Sequence, residues 1–138
     1  MNATARGTFE VELKPLGTPS DTDGVSLGRM SLVKRFTGDL VATANGEMLS
    51  ARTPVEGSAG YVAIERVTGS LQGRSGSFVL QHSGIMSAGT QQLSIRVVPG
   101  SGTAELAGIR GELQLEIANG VHHYELVYSL PPAEPAGA

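Results

Sequence analysis

Residues 71–82, LQGRSGSFVLQH, return as residues 106–117, LAGIRGELQLEI, at an offset of 35 (106 − 71). Both copies read Leu-x-Gly-x-x-Gly and then place apolar residues at alternate positions. Leu71 thus aligns with Leu106, Gly73 with Gly108, Gly76 with Gly111, Phe78 with Leu113 and Leu80 with Leu115. Each copy reads as a connection that needs glycine's conformational freedom or closeness of approach. A leucine ties it to the core, and it leads into a strand of fixed inward register. A duplicated register specifies architecture and assigns no activity.

The same alternation runs outward in both directions, and no window holds apolar residues at the i, i+3, i+4, i+7 spacing of a helix. Phe9, Val11 and Leu13 face one way and Glu10, Glu12 and Lys14 the other, with Pro15 ending the strand. Residues 15–24, PLGTPSDTDG, have the composition of an exposed loop, after which Met30, Leu32 and Phe36 share one side of the next strand. Leu40, Ala42 and Met48 share a face after Gly38. Within that segment Asn45-Gly46 fits either a tight hairpin or a bulge in one longer strand. Residues 52–60 form a second connection, and residues 61–67, 77–86, 92–98, 112–117 and 122–130 supply the remaining strands. The total is about eight, the number at which a sheet closes into a small barrel whose interior holds side chains or one small ligand. The expected fold is an all-β, eight-stranded antiparallel β-barrel, one domain over residues 1–130. Asn119-Gly120 marks a hairpin between the last two strands, and residues 131–138, PPAEPAGA, read as a disordered tail.

Composition narrows the function classes. There is no cysteine, hence no thiolate nucleophile, disulfide or Cys-held metal, and no metal or cofactor is expected. A formal charge of −3 with scattered basic residues argues against a nucleic-acid partner. No apolar run follows a basic start, so neither a signal peptide nor a membrane span is expected, and the cytosol is the expected compartment. Gly24-Val25-Ser26-Leu27-Gly28 matches G-x-S-x-G but lacks the strand before and helix after that a nucleophile elbow requires. His122 and His123 are adjacent in a strand, point to opposite faces and cannot chelate together.

Residues 61–84, YVAIERVTGSLQGRSGSFVLQHSG, together with residues 97–117, VVPGSGTAELAGIRGELQLEI, closely resemble a bacterial family catalogued as domain of unknown function 3224. The resemblance extends from Phe36 to Leu130 and includes FTGDLVATANGEMLSA at residues 36–51. The Gly-Ser-Gly-x-x-x-Leu-x-Gly-x-x-Gly element beginning at Gly100 is also similar to a segment of plant allene oxide cyclases and dirigent-type barrels. That resemblance implies an eight-stranded barrel with a cavity. It carries no agreed activity and no ligand residues onto this chain.

The candidate chemistry lies where polar residues interrupt apolar stripes. The repeat places His82 in the register of Ile117, so a histidine stands where the other copy has an aliphatic residue. It reads either as a hydrogen-bonded structural histidine near the barrel mouth or as an acid–base or ligand-contacting group. Glu65 shares a face with Tyr61, Ala63 and Val67. If that face is inward, Glu65 is a buried carboxylate suited to general acid or base work; otherwise it sits at a strand end and pairs with an arginine. Glu65 and His82 are the candidate catalytic pair. Tyr61, Phe78, Tyr124 and Tyr128 are the candidate ligand contacts, the tyrosines serving either as hydroxyl donors in an apolar cavity or as core residues with the hydroxyl at its rim. Two functions compete. One is a barrel that binds a small apolar molecule and isomerises or cyclises it; the other is a non-catalytic binding or assembly module, its interior filled, that could associate as a homo-oligomer.

Overall fold

The computed structural model describes residues 2–132. Nine strands follow one another: β1 (Ala3–Pro15), β2 (Ser20–Thr22), β3 (Val25–Gly38), β4 (Leu40–Arg52), β5 (Ala59–Leu71), β6 (Arg74–Ser87), β7 (Thr90–Val97), β8 (Arg110–Ala118) and β9 (Val121–Ser129). All neighbours are antiparallel, in the order β1-β9-β8-β7-β6-β5-β4-β3-β2. β1 also pairs with β3, from Gly7 with Gly38 to Pro15 with Met30, and this contact closes the sheet into an eight-stranded barrel. β2 lies outside the barrel count. It forms inside the segment read as loop and pairs with the first residues of β3, beyond the reach of β1.

Asn45-Gly46 makes no hairpin. β4 runs through it without a break in register, Asn45 opposite Val33 and Gly46 opposite Leu32 on one side, Arg66 and Glu65 on the other. Glycine is required at 46 because a Cβ there would stand 1.9 Å from the carbonyl oxygen of Ile64. Asn119-Gly120 does form the hairpin between β8 and β9. Both residues have positive φ, 52° and 76°, as a type I′ turn demands.

The repeat performs one task in two settings. Its leucines, Leu71 and Leu106, are both fully buried, and Gly73 and Gly108 both adopt positive φ. Gly76 and Gly111 both lie where a Cβ would strike backbone. In the first copy the glycine closes the β5–β6 hairpin; in the second it leaves a short 3-10 turn, Ala104–Leu106, on the connection between β7 and β8. That connection runs beside β6 and satisfies its edge. Thr103 N–H donates to the Ser77 carbonyl at 2.9 Å, while Val79 N–H donates to Ser101 Oγ at 3.0 Å. The alignment fails at its last position. Ile117 is 67% exposed because β8 has left the packed interior by that point, whereas His82 remains buried.

The interior has two parts. Toward the end formed by the turns at 38–39 and 72–73 and the loop at 98–109, the barrel is filled by Phe36, Leu40, Val67, Leu71, Phe78, Leu80, Val97, Leu106 and Leu126. Each large side chain there contributes roughly 1.5–3 kcal/mol by leaving water. Toward the other end the aliphatic filling stops at three buried polar residues, Lys34, Glu65 and His82. Beyond them the barrel opens. Of the expected C-terminal tail, Pro131 lies beside Gly108, and residues 133–138 fall outside the described residues.

Candidate functional site

Three neighbouring strands and β6 build the polar cluster. Glu65 projects inward from the middle of β5, on the face it shares with Tyr61, Ala63 and Val67, so the inward choice for that strand is the Tyr61 face. His82 projects inward from β6, opposite Ala63. Lys34 projects inward from β3, between Leu32 and Phe36, and must pass across β4 to reach β5. Adjacent strands are about 4.8 Å apart, so the crossing needs a long stem and a clear path. Lys34 has the stem, and Ala44 and Gly46 of β4 leave the path clear.

Lys34 Nζ donates to Glu65 Oε2 at 2.8 Å, and His82 Nε2 lies 2.8 Å from the same oxygen. The second contact has the length of a hydrogen bond but lacks its direction, since Nε2 has no aligned partner. Glu65 Oε1 is buried, and among the described residues none donates a hydrogen bond to it. The carboxyl nonetheless ionises more readily than usual. Burial works to raise its pKa, but the His82 contact and the Lys34 ammonium together outweigh that and hold it below the ordinary 4.5. Lys34 has further support from aromatic faces, with Nζ 4.9 Å from the ring centre of Phe9 and 6.0 Å from that of Phe36.

Above the cluster, at the open end, lies a cavity of about 470 Å³. Leu13, Met30, Met48, Tyr61 and Met86 contribute its apolar walls, and Arg52 and Glu56 of the loop after β4 contribute to its lining. Tyr61 connects cavity and cluster. Its ring fills the space over Gly84, where a Cβ would come within 2.4 Å of it, and its centre is 6.5 Å from that of His82. Burial and the negative charge of Glu65 both push the Tyr61 hydroxyl toward staying protonated. Glu65 and His82 do not line the cavity; Tyr61 does.

The structure thus brings three of the sequence candidates together, Glu65 and His82 in the cluster and Tyr61 above them toward the mouth. The other three stand apart. Phe78 is packed in the aliphatic half opposite Val67, 1% exposed. Tyr124 Oη donates to the Thr37 carbonyl at 2.7 Å and accepts from Leu40 N–H at 2.9 Å, which ties β9 to the β3–β4 turn. Tyr128 Oη donates to Gln72 Oε1 in the β5–β6 turn. Both hydroxyls are engaged at the filled end. Lys34 was not among the candidates, although the alternation that puts Met30, Leu32 and Phe36 inward puts Lys34 inward too. A lysine in an apolar register was the available signal.

Among the described residues no group of three or more His, Asp or Glu side chains is arranged to hold a metal, and no helix is long and apolar enough to cross a membrane. Residues 5–128 match the profile of a family described as "Protein of unknown function (DUF3224)". A crystal structure of a DUF3224 protein of unknown function from Shewanella oneidensis MR-1 is similar to this chain. The two are 51% identical with a TM-score of 0.92, over 96% of this chain and 100% of that one. No curated protein matches.

Proposed function

The chain belongs to the DUF3224 family, and from that premise we propose that it binds a small, largely apolar molecule at the open end of its barrel. One observation carries the reading: the aliphatic filling stops halfway, and the space beyond it is a cavity of about 470 Å³ walled by Leu13, Tyr61 and three methionines. That volume lies within the ~300–1,000 Å³ common for small-molecule sites. Methionine thioethers adapt to the shape of an apolar guest, and the Tyr61 hydroxyl is a polar group able to orient it.

A second reading, in which the bound molecule is isomerised or cyclised, is favoured by the ionised Glu65 held 2.8 Å from His82 just below the cavity. Such a step would combine confinement of a reactive conformer with proton movement at Glu65. Binding is the primary reading because Tyr61 separates the cavity from the carboxylate.

Thermal unfolding in the presence of monoterpenoid and medium-chain alcohols tests it. At a ligand concentration of about 100 Kd the wild type gains roughly 2.7 kcal/mol, a rise of ~10 °C for a domain of this size. Met86→Trp, at a half-exposed wall position, should fill the cavity and abolish the rise. If no probe stabilises the wild type, or all stabilise Met86→Trp equally, the site is not at the mouth.

A further inference from the structure

Glu65 presents two oxygens to the barrel interior, and only one is used. Oε2 meets Lys34 and His82; Oε1 is buried and has no partner among the described residues. A carboxylate oxygen is purely an acceptor, so the group that completes it must donate a hydrogen bond. On the mouth side of Glu65 the next inward level holds Ala63 between Met48 and His82, so small and large residues alternate there. Ala63 is the next inward residue on β5, Gly84 the next on β6, and Gly46 stands opposite Glu65 on β4. The space over Gly84 is taken by the Tyr61 ring, a single side chain that also lines the cavity.

We propose that the molecule taken up at the mouth carries an uncharged hydrogen-bond donor, an alcohol or phenol hydroxyl, which displaces the Tyr61 ring from Gly84 and donates to Oε1 of Glu65. This rests on the mouth-binding reading and narrows it to a ligand class. Charge decides against the alternatives. The Lys34–Glu65 pair is balanced by itself, so an anionic head group would add a second negative charge beside the carboxylate and a cationic one would make two cations share it, in surroundings closed to water. A hydroxyl adds a donor and no charge. Its hydrogen bond to an ionised acceptor belongs to the stronger class, amounting to tenfold or more in affinity.

The test uses one skeleton with four head groups: geraniol, geranyl methyl ether, geranate and geranylamine, titrated by calorimetry into the wild type. Geraniol should bind at least about tenfold more tightly than each of the other three. Because Glu65→Leu alone would strand Lys34, the variant to compare is Lys34→Met with Glu65→Leu, which removes the ion pair whole; in it geraniol and its methyl ether should bind alike. If the ether or the carboxylate binds the wild type as tightly as the alcohol, the mouth site stands and this inference falls. If the alcohol preference survives the double substitution but disappears in Tyr61→Phe, the donor is read by Tyr61 and the inference likewise falls. If none of the four binds, the mouth-binding reading fails and this one with it.

Discussion

Lys34 Nζ stands 2.8 Å from Glu65 Oε2 with the lysine side chain 7% exposed and the glutamate fully buried, joined across an intervening strand that contributes only Ala44 and Gly46 between them. An ion pair so enclosed forfeits the hydration of both charges, and its net contribution to stability is small compared with the cost of breaking it.

Lys34→Met should therefore destabilise the barrel by about 3–5 kcal/mol, since it leaves the buried Glu65 carboxylate without its ammonium partner. Lys34→Met combined with Glu65→Leu should recover most of that loss. Urea unfolding of the two single variants and the double variant supplies the coupling; additive effects would mean that the pair does not act as a unit.

The same carboxyl sets an acid limit. Its folded pKa lies below the ordinary 4.5, so ionisation stabilises the fold above that value, and the contribution is lost as pH falls from 4.5 through the lower folded pKa. A melting temperature measured across this acid range should fall more steeply in the wild type than in the Lys34→Met, Glu65→Leu variant. Parallel curves would assign the acid transition to other carboxylates.

Gly46→Ala should cost about 3 kcal/mol or more, because the new methyl group would meet backbone atoms of Ile64 and Glu65 that cannot turn aside. Gly60→Ala provides the contrast. Its nearest neighbour would be Ile85 Cδ1 at 3.4 Å, an ordinary contact, and the change should remain within about 1 kcal/mol. Equilibrium unfolding of both variants checks the difference.

Tyr124→Phe removes a hydroxyl that serves both the Thr37 carbonyl and the Leu40 N–H, and should destabilise by about 2 kcal/mol. Ligand affinity at the mouth should not change, since Tyr124 lies at the filled end. A loss of affinity would place its hydroxyl within reach of the ligand.

Much of this arrangement was legible from alternation. A period of two sends each side chain to a known face once one residue is placed, so the inward positions of Phe78 and His82 followed from their apolar neighbours, while that of Glu65 stayed open because both faces of residues 61–67 set a charge among apolar residues. Lys34 obeys the same rule, and three apolar residues made its stripe look complete without it. The roles of Tyr124 and Tyr128 were not legible. Their hydroxyl partners, Thr37 and Leu40 for one and Gln72 for the other, are 87, 84 and 56 residues away and meet them only because the sheet closes on itself. Asn45-Gly46 was ambiguous because glycine marks both a turn and a close strand approach, and only the neighbouring strand's carbonyl distinguishes them.

Between β7 and β8 the ladder holds a single register pair, Arg96 with Glu112, whose side chains reach each other at 3.5 Å in full view of solvent. The cylinder is in effect a rolled ribbon with its long edges fastened by one stitch. Above that stitch, toward Thr90 and Ala118, the wall has a slit, and the residue beside it on β7, Ile95, is the cross-strand neighbour of His82. Amide hydrogens of β7 and β8 should exchange sooner than those of β4 and β5, where the ladder is continuous from Leu40 to Arg52. A parting at this seam would bring solvent to Ile95 and its neighbour His82 from the side of the barrel and not from the mouth.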